Sequence, residues 1–260
     1  GAKDWENLAD VCSRQVQLLD DPQQQVQIYQ KLGVLFTDKA KDEQRAIEAW
    51  RGLLELDPTN RRAQDSLKKL YLSMRAYQEL EDFYASQDKW DEFIRVLERQ
   101  VDSEEPEQRL TLYFKIANLW QEKLGKPDRA VRAYEKILTL DETNLEAAEA
   151  LIPLYEGGRD VRKYTGVLEI QLQHTEDEDL KLERIRNLAE LYENKLRDKE
   201  GAFDWYLKAF EVDCRAEWVR EEVERLAGDE GRWHDVDNEY EAAYDRVGDP
   251  NDQLPIMLTV

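Results

Sequence analysis

The chain is 260 residues long and carries 58 acidic against 37 basic side chains, a formal net charge of −21. That balance repels a phosphate backbone, arguing against nucleic-acid binding, and favours basic partners. With 37% charged and 41% hydrophobic residues but only 11 Gly and 7 Pro, the composition selects long solvated helices over sheets or disorder.

The opening GAKDWENLAD lacks the basic and apolar regions of a signal peptide, and no apolar run reaches the roughly 20 residues of a membrane span. Gly1 and Ala2 read as a scar that leaves the compartment open, cytoplasm or periplasm. The first predicted helix starts at Asp4 and sets Trp5, Leu8, Val11 and Cys12 on one stripe. Trp5 is read as core and Cys12 as a small buried hydrophobe. The second runs from about Pro22 to Lys39 with Ile28, Leu32 and Phe36, and the third from Arg45 to the turn at Asp57-Pro58. Leu67, Leu70 and Tyr71 mark the fourth, and a short fifth begins at Arg75. The sixth, from Lys89, repeats the stripe of the first as Trp90, Phe93, Val96 and Leu97. Glu105-Pro106 opens the seventh, with Tyr113, Ile116 and Trp120 on the way to Leu124. The eighth runs from Arg129 to Asp141, and the ninth carries Leu151, Leu154 and Tyr155 before Gly157-Gly158. The tenth starts at Lys163, and the eleventh spans about Asp179 to Leu196 with Ile185, Leu188 and Tyr192. The twelfth runs from Glu200 to Asp213, and the thirteenth holds Val223 and Leu226 before Gly228 and Gly231. The fourteenth is led by Trp233. Trp50, Trp90, Trp120 and Trp233 all follow their stripes and are read as core with Trp5. From Asp249, DPNDQLPIMLTV runs parallel to the segment from Asp21, matching Leu254 to Val26 and Ile256 to Ile28, with Pro255 a mismatch. The chain is therefore expected to stop inside a repeat unit, as a fragment of a longer array.

Repetition is the strongest signal. RAIEAWRGLLELDPTN from Arg45, RAVRAYEKILTLDETN from Arg129 and EGAFDWYLKAFEVDCR from Glu200 are variations on one another. Each places an aromatic, Trp50, Tyr134 or Tyr206, ahead of an aspartate, Asp57, Asp141 or Asp213. The spacing of the aspartates fits four helices per unit, giving units at about 3–88, 89–161 and 162–231 and a partial one at 232–260. The short fifth helix is an insertion by duplication of the aromatic-led type. The reading is an all-α array over residues 1–260, of about 14 helices in antiparallel pairs.

Leu32-Gly33, Phe36, Ala46, Trp50 and Pro58 stand close to the order and spacing of the tetratricopeptide repeat, which this chain resembles. Ile116-Ala117, Trp120, Ala130 and Tyr134 repeat the pattern, as do Leu188-Ala189, Tyr192, Ala202 and Tyr206. An extra residue separates the two halves of each copy. The resemblance implies a right-handed α-solenoid, and the mixture of well-formed and degenerate units is similar to the very large repeat scaffolds of some bacteria, such as those of surface motility systems. It also implies that the first helix of each pair lines a concave groove. Carried over, the groove positions are Gln27, Gln30 and Val34, then Arg62, Asp65 and Lys69, then Phe114, Asn118 and Glu122. Glu146 and Glu149 follow, then Glu183, Arg186 and Glu190, and finally Trp218, Glu221 and Arg225. Phe114 and Trp218 are the candidate aromatic anchors. A known class of the family grips acidic peptide tails with lysine and asparagine; only Lys69 and Asn118 match, on different helices, so that ligand is disfavoured.

Other chemistry finds little purchase. Cys12 and Cys214 lie in distant segments, and no disulfide is expected. His174 beside an acidic run, and Asp235, Asp237 and Glu239 with Tyr240 where a calcium loop needs glycine, read as solvated surface. The acidic runs Glu104-Glu105 and Glu176 to Asp179 suit helix N-termini. No phosphate loop or nucleophile elbow appears, so no metal, cofactor or catalytic residue is expected. The function indicated is a non-catalytic scaffold that binds a peptide or helix of a basic protein partner along an acidic groove. The alternatives are a docking or regulatory arm of an enzyme whose catalytic domain lies elsewhere, and a half-repeat solenoid of RNA-processing assemblies. Self-association through the array ends is compatible with all three.

Overall fold

In the computed structural model, residues 2–246 are described, and the parallel drawn for DPNDQLPIMLTV falls outside them. Every element among the described residues is helical: α1 (Ala2–Leu18), α2 (Pro22–Val34), α3 (Glu43–Leu56), α4 (Arg61–Ser73), α5 (Tyr77–Ala85), α6 (Trp90–Gln100), α7 (Pro106–Asn118), α8 (Pro127–Leu140), α9 (Leu145–Tyr155), α10 (Val161–Gln173), α11 (Glu178–Leu191), α12 (Lys199–Val212), α13 (Glu217–Glu230) and α14 (Trp233–Arg246). Two compact units divide the chain, residues 1–95 and 96–260. In the first, α1 to α4 each pack on the next in sequence, as α7 to α14 do in the second. Contacts that run mainly between sequence neighbours are the mark of an α-solenoid array, and the fold class is the expected one.

The repeated aspartates have a local cause. Asp57 accepts hydrogen bonds from the Thr59 amide (3.2 Å) and hydroxyl (2.8 Å) and from Asn60 Nδ2 (3.2 Å). Asn60 in turn caps α4 by accepting from the Ala63 amide at 3.1 Å. Asp141, Thr143 and Asn144 rebuild the same turn ahead of α9, where Asn144 accepts from the Ala147 amide at 2.9 Å. In the third copy Asp213 accepts from the Arg215 amide, but Ala216 stands at the N-cap of α13 and makes no side-chain cap. The degeneracy read in the sequence is therefore the loss of a cap.

The extra residue between repeat halves is absorbed inside the helix. Each of α2, α7 and α11 runs on into a π-helical turn, at Leu35–Ala40, Leu119–Lys123 and Tyr192–Leu196. A wide turn takes in one more residue without breaking the helix. The chain then reverses through a left-handed residue at one equivalent place, Lys41 (φ 55°), Gly125 (φ 60°) or Arg197 (φ 59°).

The predicted stripes form the core, with corrections. Trp50 and Trp120 are buried at 1% and 5% exposure. Trp90 is half-buried, while Trp5 and Trp233 are exposed at 39% and 49%, against the expectation that all are core. An amphipathic stripe shows that a face is apolar, not that another helix covers it, and no described helix covers the outer face of α1. Cys12, on that face, is half-buried, as is Cys214, and the two form no disulfide. Glu104, read as charge at a helix N-terminus, is buried at 2% exposure. The acidic run before α11 behaves as expected, with Asp177 accepting from the Leu180 amide at 2.8 Å.

Candidate groove surfaces

Superposing the repeats in sequence makes one cleft position recur. It is framed by the first helix of a pair, by the aromatic of the second helix, and by the first helix of the next pair. In unit 1 the frame is α2, Trp50 and α4; in unit 2 it is α7, Tyr134 and α9, and then α11, Tyr206 and α13.

In the two copies of unit 2 an aromatic ring fills the cleft. Phe114 of α7 is half-buried and meets Tyr134 edge-on, with ring centroids 6.2 Å apart. The Tyr134 hydroxyl donates to Asn118 Oδ1 at 3.1 Å. In the next copy Trp218 of α13 meets Tyr206 edge-on at 6.4 Å, and the Arg186 guanidinium lies 4.8 Å from the indole centroid. Both candidate anchors are thus half-buried against a tyrosine and not free rings.

Carboxylates dominate around these rings. Burial pushes the Tyr134 hydroxyl above its ordinary pKa, and the charges of Glu146 and Glu122 push the same way. Tyr206 is pushed up to about 12 by burial and then by Glu222, Glu190 and Glu193, with Arg225 opposing. The cations are already engaged: Arg225 grips Glu193 with two bonds of 2.9 and 2.8 Å and also bonds Glu222, while Arg186 pairs with Glu190 at 3.3 Å. Glu122, Glu146, Glu149, Glu183 and Glu221 are exposed and make no ion pair among the described residues. Glu149 faces a small recess of about 240 Å³ with His174 and Arg184, and His174 Nε2 lies 2.9 Å from the Thr143 carbonyl oxygen.

Unit 1 differs. Here Gln30 and Arg62 stand where Phe114 and Trp218 stand in the other copies, and the cleft between the π turn, α3 and α4 is open, with a volume of about 990 Å³. Arg62 and Lys69 line it, together with Lys41, Thr37 and Ser66. Asp42 in its wall is committed elsewhere, accepting from the Arg45 amide at 3.0 Å and from Arg45 Nε at 2.6 Å. Those bonds, the amide first, hold its carboxyl below the usual range. Gln30, half-buried, lines a second recess beside α1. The groove residues expected to form one acidic surface therefore divide into a mixed-charge set in unit 1 and a carboxylate-rich set in unit 2.

Sequence reasoning missed Glu193, the main partner of Arg225, which lies in a different helix and has no spacing signal. It also took Tyr134 and Tyr206 only as markers of the repeat, although both meet the candidate anchors edge-on. Among the described residues, no group of His, Cys, Asp and Glu is arranged to hold a metal ion, and no helix is long and apolar enough to cross a membrane.

A tetratricopeptide repeat model matches residues 110–144, the segment from α7 through the Asp141 turn. No curated protein matches the chain. Among solved structures the chain is similar to PilF of Pseudomonas aeruginosa at 17% identity, covering 80% of this chain and 99% of that one, with a TM-score of 0.33. It is also similar to MamA at 22% identity, covering 66% of this chain and 91% of that one, with a TM-score of 0.27.

Proposed function

We propose that this tetratricopeptide-like helical repeat protein, a protein-interaction scaffold, binds a basic segment of a protein partner on the first helices of its unit 2 pairs, α7, α9, α11 and α13. One observation carries the reading: the groove arginines Arg186 and Arg225 are tied to carboxylates, while Glu122, Glu146, Glu149, Glu183 and Glu221 are exposed without an ion pair among the described residues. An incoming lysine or arginine meets negative charge already in place, and no resident cation has to be displaced. Such charges act mainly by steering encounter and setting the sign of the partner, with affinity added by apolar contact at the exposed edges of Phe114 and Trp218. Asn118, with its side-chain amide beside Tyr134, supplies a neutral hydrogen-bonding group to the same surface.

The test is fluorescence anisotropy with a labelled arginine-rich peptide and a glutamate-rich control. The basic peptide is expected to bind, to weaken as salt rises, and to lose at least about tenfold in affinity when Glu146 and Glu149 are changed to lysine. Binding that ignores both salt and those substitutions would overturn the reading. The alternative of an enzyme arm leaves this surface unchanged and adds a catalytic domain to it.

A further inference from the structure

The groove between α1 and α2 in unit 1 plays no part in that reading. Its wall on α1 is apolar: Trp5, Leu8 and Val11 are exposed at 39%, 46% and 61%, and Cys12 sits half-buried among them. One edge of the same stripe packs, with Ala9 and Val16 buried, while the edge that carries Leu8 and Val11 is left uncovered. The positions of α6 that match Leu8 and Cys12 are Phe93 and Leu97, both fully buried, with Phe93 stacked on Tyr84 of α5. Where this stripe recurs, then, a helix covers it. The recess holds about 750 Å³, room for several apolar side chains.

Its charge is the reverse of the chain's. Lys31, Lys39 and Arg62 line the groove, Gln15, Gln27 and Gln30 provide neutral polar groups, and among the described residues no carboxylate lines it. The carboxylates of α1, Glu6 and Asp10, act instead on Arg45. Lys31 and Arg62 make no ion pair among the described residues, and the Lys39 ammonium lies 5.8 Å from the centroid of the Trp5 ring. Val34, Lys39 and Arg62 also border the mixed-charge cleft beside α4, where Lys41 and Lys69 stand with Glu6, Asp38, Asp42 and Glu43, so the purely basic rim belongs to the recess beside α1. In a protein of net charge −21, a site with an apolar floor and only positive charge at its rim is selective.

We propose that this groove is a second docking site, which receives an amphipathic helix of a protein partner whose apolar stripe is flanked by acidic side chains. The leucine-like stripe displaces water from Trp5, Leu8 and Val11, and the flanking carboxylates meet Lys31, Lys39 and Arg62. The two proposed sites thus take partners of opposite charge.

The experiment uses the whole chain and two labelled peptides with leucines at i, i+3 and i+7, one flanked by glutamates and the other by lysines. The glutamate peptide is expected to bind and the lysine peptide to bind at least about tenfold more weakly. Changing Lys31, Lys39 and Arg62 together to glutamate reverses that preference. Val11→Asp, at the most exposed apolar position, abolishes binding of the glutamate peptide while the helical circular dichroism stays constant. Equal affinity for both peptides, no binding of either, or no response to the charge reversal overturns the proposal. A concentration-dependent dimer in sedimentation that Val11→Asp separates also overturns it and assigns the face to a second copy. The glutamates of unit 2 are untouched by these variants, so failure here leaves the basic-partner reading standing on its own test.

Discussion

The first repeat of unit 1 and the two repeats of unit 2 share helices, turns and π segments, and they differ in what occupies one cleft. In unit 2, Phe114 or Trp218 lies against the tyrosine of the second helix, and the surface above is carboxylate-rich. In unit 1, Gln30 and Arg62 stand at the ring positions, and an open cleft has Trp50 and Arg62 in its wall. The backbone repeat is kept while single side chains decide whether a ring or a polar group stands at a given position, in a carboxylate-rich surface in unit 2 and a mixed-charge one in unit 1. Function in such an array resides in departures from the repeat, because the repeat itself is consumed by packing.

The wall residue also sets a packing requirement, and it gives the largest effect among the expected outcomes. Gly33 lies so close to Trp50 that a Cβ added there would stand 2.6 Å from Trp50 Cδ2. In unit 2 the matching pairs are Ala117 with Tyr134 and Ala189 with Tyr206, where a smaller ring leaves room for a methyl group. Gly33→Ala is therefore expected to cost about 1–3 kcal/mol by overpacking, read from urea unfolding. Adding Trp50→Tyr should recover a large part of that loss, since it converts unit 1 to the pairing of unit 2. A double variant no more stable than Gly33→Ala alone would break the equivalence drawn between the units.

How much of this was legible follows from which interactions are local. The helices, the stripe residues and the aspartate turns were readable because each is set within a few residues, as Asp57, Thr59 and Asn60 are. The extra residue between repeat halves was visible, but not its form. A loop or a wide helical turn takes it in equally well, and the packing of Phe36, Trp120 and Tyr192 decides. Trp5 and Trp233 were misread because periodicity reports one helix and burial depends on two. The charge of the groove was readable as composition, whereas its pairing was not: Arg225 and Glu193 meet from separate helices. The contrast of filled and open clefts was present in the aligned repeats as Gln30 against Phe114 and Arg62 against Trp218, but it acquires meaning only once the rings are placed.

The turns offer a second contrast of smaller size. Asn60→Ala in unit 1 and Asn144→Ala in unit 2 are each expected to lose about 1 kcal/mol, since each removes a side-chain cap. Ala216→Asn should gain a similar amount by restoring the cap that α13 lacks, and the same unfolding curves check all three. The π turns behave alike at their left-handed ends. Gly125→Ala in unit 2 should cost about 1 kcal/mol, while Lys41→Gly in unit 1 should gain about 0.5 kcal/mol as relief of strain exceeds the added chain entropy. A gain from Gly125→Ala or a cost from Lys41→Gly would show that the turns are not equivalent.

The smallest effect distinguishes the units by pH. At one equivalent place Tyr71 of unit 1 accepts a hydrogen bond from Arg51 Nε at 2.7 Å, whereas Tyr155 of unit 2 donates to Glu135 at 2.8 Å, with Lys163 also on Glu135 at 2.7 Å. Burial alone would raise the Glu135 carboxyl, but the bonds from Lys163 and Tyr155 outweigh it and hold the group below its ordinary value. A depressed carboxylate stabilises the fold above the unfolded value of about 4.3, and that contribution is lost as pH falls through the folded value. The bond between Arg51 and Tyr71 involves no carboxylate, so acid loosens only the unit 2 contact, by less than about 1 kcal/mol for so exposed a pair. Amide exchange around Tyr155 should therefore rise between about pH 7 and about pH 3 relative to exchange around Tyr71. Glu135→Gln should remove the difference by making the contact neutral at every pH. Parallel behaviour of the two tyrosines in the unsubstituted protein would mean that the carboxylate adds nothing to the hold on Tyr155, and that the two units are tied at this position by packing alone.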